Sequence, residues 1–131
     1  MTEISRQQES FSIVRRAKSL THAGRGLWIF LKTTHNAWLH LAALFVAVAL
    51  GVYFRISYVD WMLLTFAAGL VLTAEAFNTA IEIDIDLTSP EYHPYARDTK
   101  DVAAGAVLIA AFTAVIIGVG IFGRHFLDLI L

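Results

Sequence analysis

Long apolar runs alternate with short polar breaks along this chain, and three of the runs are long enough to cross a membrane. A hydrocarbon core about 30 Å thick takes roughly 20 helical residues. The first run, AWLHLAALFVAVALGVYF, occupies residues 37–54 and is interrupted only by His40 near its start. The second opens at Tyr58, continues through the uncharged WMLLTFAAGLV to Ala74, and then goes on as EAFNTAIEIDID, so a helix is predicted over 58–86. The third, VAAGAVLIAAFTAVIIGVGIF, spans residues 102–122 without a charge, in a helix predicted over 95–122. RISYVD separates the first two runs, and LTSPEYHP, with Pro90 and Pro94, makes the turn before the third.

Ahead of the first run, residues 9–34 mix the two classes. Phe11, Val14, Leu20, Leu27, Ile29, Phe30 and Leu31 interleave with Arg15, Arg16, Lys18, Arg25 and Lys32, and Trp28 sits among the apolar group. That pattern predicts a helix lying in the membrane interface with its basic side toward the headgroups, the alternative being a solvated basic tail. The expected fold is therefore an all-α membrane protein, with an N-terminal amphipathic interfacial helix plus three transmembrane helices in a single domain over residues 1–131.

Composition agrees. Of the 131 residues, 57% are hydrophobic and 16% charged, against about 45–50% and about 25% in soluble domains, and the mean hydropathy is +0.63. The chain has no cysteine, which excludes disulfides, thiol catalysis and cysteine metal sites. The polar opening MTEISRQQES lacks an early apolar stretch, so no cleaved leader is expected and the first span is expected to serve as its own insertion signal. Six of the ten Lys and Arg residues precede the first span, and Arg97 and Lys100 lie between spans two and three, leaving only Arg55 and Arg124 for the other side. The positive-inside rule thus predicts a cytoplasmic N-terminus and a cytoplasmic 87–101 loop, with the acidic end of span two beside it.

Charge in that acidic end changes the picture most. With ~100° per residue, Glu75, Glu82 and Asp86 fall within about 40° of one another on a helix, bordered by Asn78 and Thr79, while Asp84 points to nearly the opposite side. An unpaired carboxylate at the bilayer centre costs on the order of 2.5–3.5 kcal/mol, so these groups are expected near the interface, paired, or bound to a cation. Asp84 and Asp86 alone could simply end the helix in water. Glu75, Asn78 and Glu82 on one stripe point instead to a hard-cation site with room for phosphate oxygens, or to a general base for a lipid hydroxyl. Lys100 and Asp101, opening the third helix at the same membrane level, offer a phosphate partner or a positive anchor. GxxxxGK[ST] is absent, so the chain is not a P-loop protein. No nucleic-acid partner is expected.

EAFNTAIEIDID (75–86), EYHP (91–94) and KDVAAGAVLIA (100–110), with the weaker AGRGLWIFLKTTHNAWLHL (23–41), resemble the bacterial integral-membrane diacylglycerol kinase and undecaprenol kinase family over residues 11–122. The resemblance implies a homotrimer in the plasma membrane that uses ATP and Mg²⁺ to phosphorylate a membrane lipid alcohol at the cytoplasmic face. It implies Glu75 as catalytic base with Asn78 beside it, and Glu82 as ligand to the metal and the ATP phosphates. It also implies Arg15, Glu91, Tyr92, His93, Lys100 and Asp101 as nucleotide contacts. Two positions depart from the pattern: Thr34 stands where many members carry a metal-binding acid, with His35 one residue off, and His22 stands at an often aromatic position.

DVAAGAVLIA with EYHP leans toward undecaprenol rather than diacylglycerol as substrate. Two other classes fit the composition. A cation- or proton-coupled transporter usually keeps its carboxylate near the midplane, whereas Glu75 is expected near one end of its span. A catalytically silent assembly protein is the reading that Thr34 keeps open. Ala106, Ala110, Ala114 and Gly118 form a small-residue stripe that allows close helix approach within or between subunits.

Overall fold

The computed structural model describes residues 13–131, less the side chains of Val14 and His35. Four helices follow one another: α1 (Ile13–Thr33), α2 (His35–Phe54), α3 (Tyr58–Thr88) and α4 (Pro94–Ile130). Helix covers 91% of the structure, which has no strands among the described residues. α2, α3 and α4 each carry a window long and apolar enough to span a membrane. The all-α architecture with three spanning helices is as the run lengths predict. Phe11 and the start of the interfacial helix predicted from residue 9 lie outside the described residues.

α1 is amphipathic as described. Ile13, Leu20, Leu27 and Trp28 are exposed and lie along one side of the helix, while Arg15, Lys18, Arg25 and Lys32 gather on the other by the 100° step. The helix is anchored near its end, where Phe30 and Ala37 are buried at the corner into α2. The Trp38 indole donates to the Leu31 carbonyl at 3.0 Å, fixing that corner.

The turn from α2 to α3 is closed by backbone. Arg55 is left-handed (φ 50°, ψ 51°); its N–H donates to the Val52 carbonyl and that of Ile56 to the Gly51 carbonyl. This is the Schellman arrangement, which usually recruits glycine at the left-handed position. Gly51 is needed for a different reason: a Cβ there would stand 2.7 Å from the Trp61 ring. Ser57 then caps α3 in a capping box with Asp60. Around this end Ile56, Leu64, Ile121 and Phe122 form the apolar core, with Phe54 and Trp61 packed against it.

α3 and α4 form the main hairpin. The α3 seam runs through Asp60, Leu64, Ala67, Val71, Glu75 and Thr79, and α4 answers with buried Ala103, Ala110 and Ile121. Alanines on both sides let the backbones approach closely. Ala110 of the predicted small-residue stripe therefore packs within the chain, whereas Ala106 is exposed. α4 continues eight residues past its predicted end at 122, because Arg124 and His125 break the hydropathy pattern without breaking the helix. There Arg124 pairs with Asp60 at 3.0 Å, and the His125 ring stacks on Phe54 at 5.0 Å.

Candidate active site

The α3 seam changes character at Glu75. Apolar from Leu64 to Val71, it goes on as Glu75, Thr79, Glu82 and Asp86 at helical spacing, so the acidic stripe is the packing face of α3 prolonged past its apolar core. Beside it opens a cleft of about 290 Å³, lined by Thr34, Asn36, Glu75, Asn78, Glu82 and Asp86 among others. The α1–α2 corner supplies the opposite wall.

Glu75 is only 1% exposed, the largest fully buried side chain among the described residues. Its Oε1 lies 3.1 Å from His40 Nε2 on α2. A carboxylate can only accept, so with Glu75 ionised the Nε2 nitrogen carries the proton and donates it. Removing a charge from water so completely is unfavourable without such a partner.

One turn further, the Thr79 hydroxyl donates to the Glu75 carbonyl at 2.9 Å. Its single proton is thereby used, so in the 2.7 Å contact between the Thr34 and Thr79 hydroxyls Thr34 is the donor. Thr34 is the N-cap residue of α2 yet makes no side-chain cap bond; its hydroxyl reaches across to α3 instead. Asn78 donates from Nδ2 to Glu82 Oε1 at 3.0 Å, and its buried Oδ1 has no partner among the described residues. Buried amide oxygens are rarely left bare, and this one belongs to a residue lining the cleft.

Lys100 is tied to Asp86, Nζ to Oδ1 at 2.5 Å, which joins α4 to the acidic end of α3; Asp86 lines the cleft and Lys100 does not. Asp86 is thus neither a plain helix end nor unpaired. Asp84 is exposed, as its position on the wheel predicts. The remaining expected residues do not line the cleft. Arg15 is exposed on α1, and Glu91 and Tyr92 are exposed in the α3–α4 turn. His93 accepts from the Tyr95 N–H and caps α4, and Asp101 stands 4.0 Å from Arg97. His40 is the residue that spacing along one helix could not supply. One signal for it was present, since an ionisable group inside a membrane span is a functional candidate by default.

The Prokaryotic diacylglycerol kinase family model matches residues 21–122, from the second half of α1 to the apolar core end of α4. The chain belongs to that family. It is a membrane-embedded lipid kinase. Among its relatives, the undecaprenol kinase of Bacillus subtilis is 40% identical over 105 residues, covering 80% of this chain and 85% of the relative. The diacylglycerol kinase of Synechocystis sp. is 34% identical over 101 residues, 76% of this chain and 58% of the relative. That of Helicobacter pylori is 30% identical over 129 residues, 92% and 97% respectively.

Proposed function

We propose that this family member transfers the terminal phosphoryl group of ATP to undecaprenol, with diacylglycerol as the next substrate, at the cytoplasmic face of the bacterial plasma membrane. The observation that carries the reaction is Glu75, a buried carboxylate opening onto a polar cleft at the end of a spanning helix. The lipid preference is supported by the 40% identity to the protein named undecaprenol kinase, against 34% and 30% for two named diacylglycerol kinases. The Lys and Arg distribution supports a cytoplasmic N-terminus, with Arg55 and Arg124 alone on the far side.

In this reading Glu75 takes the proton of the lipid hydroxyl, and Asn78, one turn away, orients the reacting groups. Mg²⁺ suits the donor set at Glu82. Among the described residues no three His, Asp or Glu side chains cluster, so Glu82 would hold a cation with few protein carboxylates, an arrangement that suits Mg²⁺ where substrate phosphates are also present. Glu82, with the unpartnered Asn78 oxygen nearby, offers that partial cage. Thr34 adds a hydroxyl and no charge, which leaves Glu82 as the principal protein ligand. When bound, the ion neutralises charge on the transferring phosphoryl group.

Lys100 meets the phosphates by exchanging its bond to Asp86 for one to them. Arg15, Glu91, Tyr92, His93 and Asp101 belong to the nucleotide contacts through the resemblance of EYHP and KD. A homotrimer follows from the same resemblance, and the exposed apolar faces of α2 and α4 leave room for it. The domain boundaries proposed are those of one unit over residues 1–131.

The test is ATP-dependent phosphorylation in mixed micelles, with undecaprenol and diacylglycerol offered in parallel, with and without Mg²⁺. Labelled undecaprenyl phosphate that requires the metal and falls by about 10²-fold in Glu82→Gln is the expected result. Product from neither lipid would sink the assignment of ATP-dependent transfer to undecaprenol or diacylglycerol.

A further inference from the structure

His40 has no part in the proton transfer just described, yet among the described residues it is the α2 side chain that hydrogen-bonds Glu75. The contact joins two helices at 3.1 Å, between an imidazole 21% exposed and a carboxylate side chain 2% exposed. Two polar groups nearby are engaged elsewhere: the Thr79 hydroxyl donates to the Glu75 backbone carbonyl and the Asn78 amide nitrogen to Glu82. Asp86, the other acid of the stripe, has its own cation in Lys100. His40 Nε2 is thus the hydrogen-bond donor that the described residues give the Glu75 carboxylate, and it fixes the direction of Oε1.

We propose that His40 is a positioning residue for phosphoryl transfer. Its Nε2–H donates to Glu75 Oε1, holding the carboxylate still so that Oε2 receives the lipid proton. This rests on the reading of Glu75 as base. As the hydroxyl O–H bond breaks, an Oε2–H bond forms and the lipid oxygen bonds to the γ-phosphorus. The bond from that phosphorus to the bridging oxygen breaks, ADP leaves with its electron pair, and Glu75 afterwards returns the proton to water in the cleft. His40 neither gains nor loses a proton. Its effect is confined to the step in which Glu75 reacts, so removing it lowers turnover and leaves substrate binding alone.

A hydrogen bond to a charged group contributes enough that its loss corresponds to about 10- to 100-fold in rate. In undecaprenol mixed micelles, His40→Leu is expected to lower kcat by about that factor, with KM for lipid and for ATP changed less than about twofold. His40→Gln, which keeps an N–H donor at similar reach, is expected to recover most of kcat. Adding His40→Leu to Glu75→Gln should lower activity no further. If the leucine variant does not assemble, His40→Asn, whose amide is too short to reach Glu75, takes its place.

Normal kcat in the leucine or asparagine variant, equal impairment in the glutamine variant, or a rise in KM with kcat unchanged would each overturn the positioning role. If Glu75→Gln is inactive while His40→Leu is normal, only the His40 role falls. If Glu75→Gln turns over normally, the reading of Glu75 as base falls with it.

Discussion

At its first turn, α3 holds Asp60, whose Oδ2 accepts from the Ser57 N–H at 3.2 Å, the Ser57 hydroxyl at 2.8 Å and the Arg124 guanidinium at 3.0 Å. Four and more turns later the same face holds Glu75, with one imidazole nitrogen, and Glu82, with one amide nitrogen. One end of the helix closes a circuit: Asp60 Oδ2 takes three bonds, the apolar core lies at the same end, and Gly51 packs against the Trp61 ring beside it. The other end is held open, with a cleft in front and a bare amide oxygen at its edge. The same residue types on the same seam therefore serve two purposes, and the number of protein partners each acid has tells them apart.

Substitutions can break this contrast from either end. The largest effect belongs to Glu75→Gln, which should lower kcat by about 10³-fold, in the range for loss of a positioned base, while the helical circular dichroism and assembly size stay as they are. Near-normal turnover would mean that the buried acid is structural, like Asp60. Glu82→Gln should follow, with activity down by about 10²-fold and a raised Mg²⁺ requirement, read from a Mg²⁺ titration of the rate. At the closed end the readout reverses. Gly51→Ala forces the Trp61 ring or Ile56 to move, and a destabilisation of about 1–3 kcal/mol should appear as a lower thermal midpoint in detergent, with activity at low temperature retained.

Ser57→Ala removes the α3 cap and should lower stability by about 1 kcal/mol, again with turnover intact. A drop in kcat without a drop in stability for either variant would erase the distinction between the ends. Asp84→Asn, on the exposed side of α3, should change neither quantity.

The stripe itself was readable from the sequence because Glu75, Asn78, Glu82 and Asp86 are bound by the period of a single helix. The Asn78–Glu82 bond lies within that period, but the partners drawn from other helices were not readable, since each comes at its own separation. His40 is 35 residues from Glu75, Thr34 is 45 from Thr79, and Arg124 is 64 from Asp60. No periodic rule connects such positions; helix packing and register do. Lys100, 14 residues from Asp86 across the α3–α4 turn, was legible only as lying at the same level, not as its ion-pair partner.

By itself, then, the sequence determined the membrane environment, the three spanning helices, the amphipathic start and the polar face of α3, because run length and helical period are local properties. Tertiary structure alone decided which acids are closed and which are open. Burial of Glu75, its bond to His40 and the redirected Thr34 hydroxyl arise where α1–α2 meets α3, and an energy between two helices exists only once they are packed.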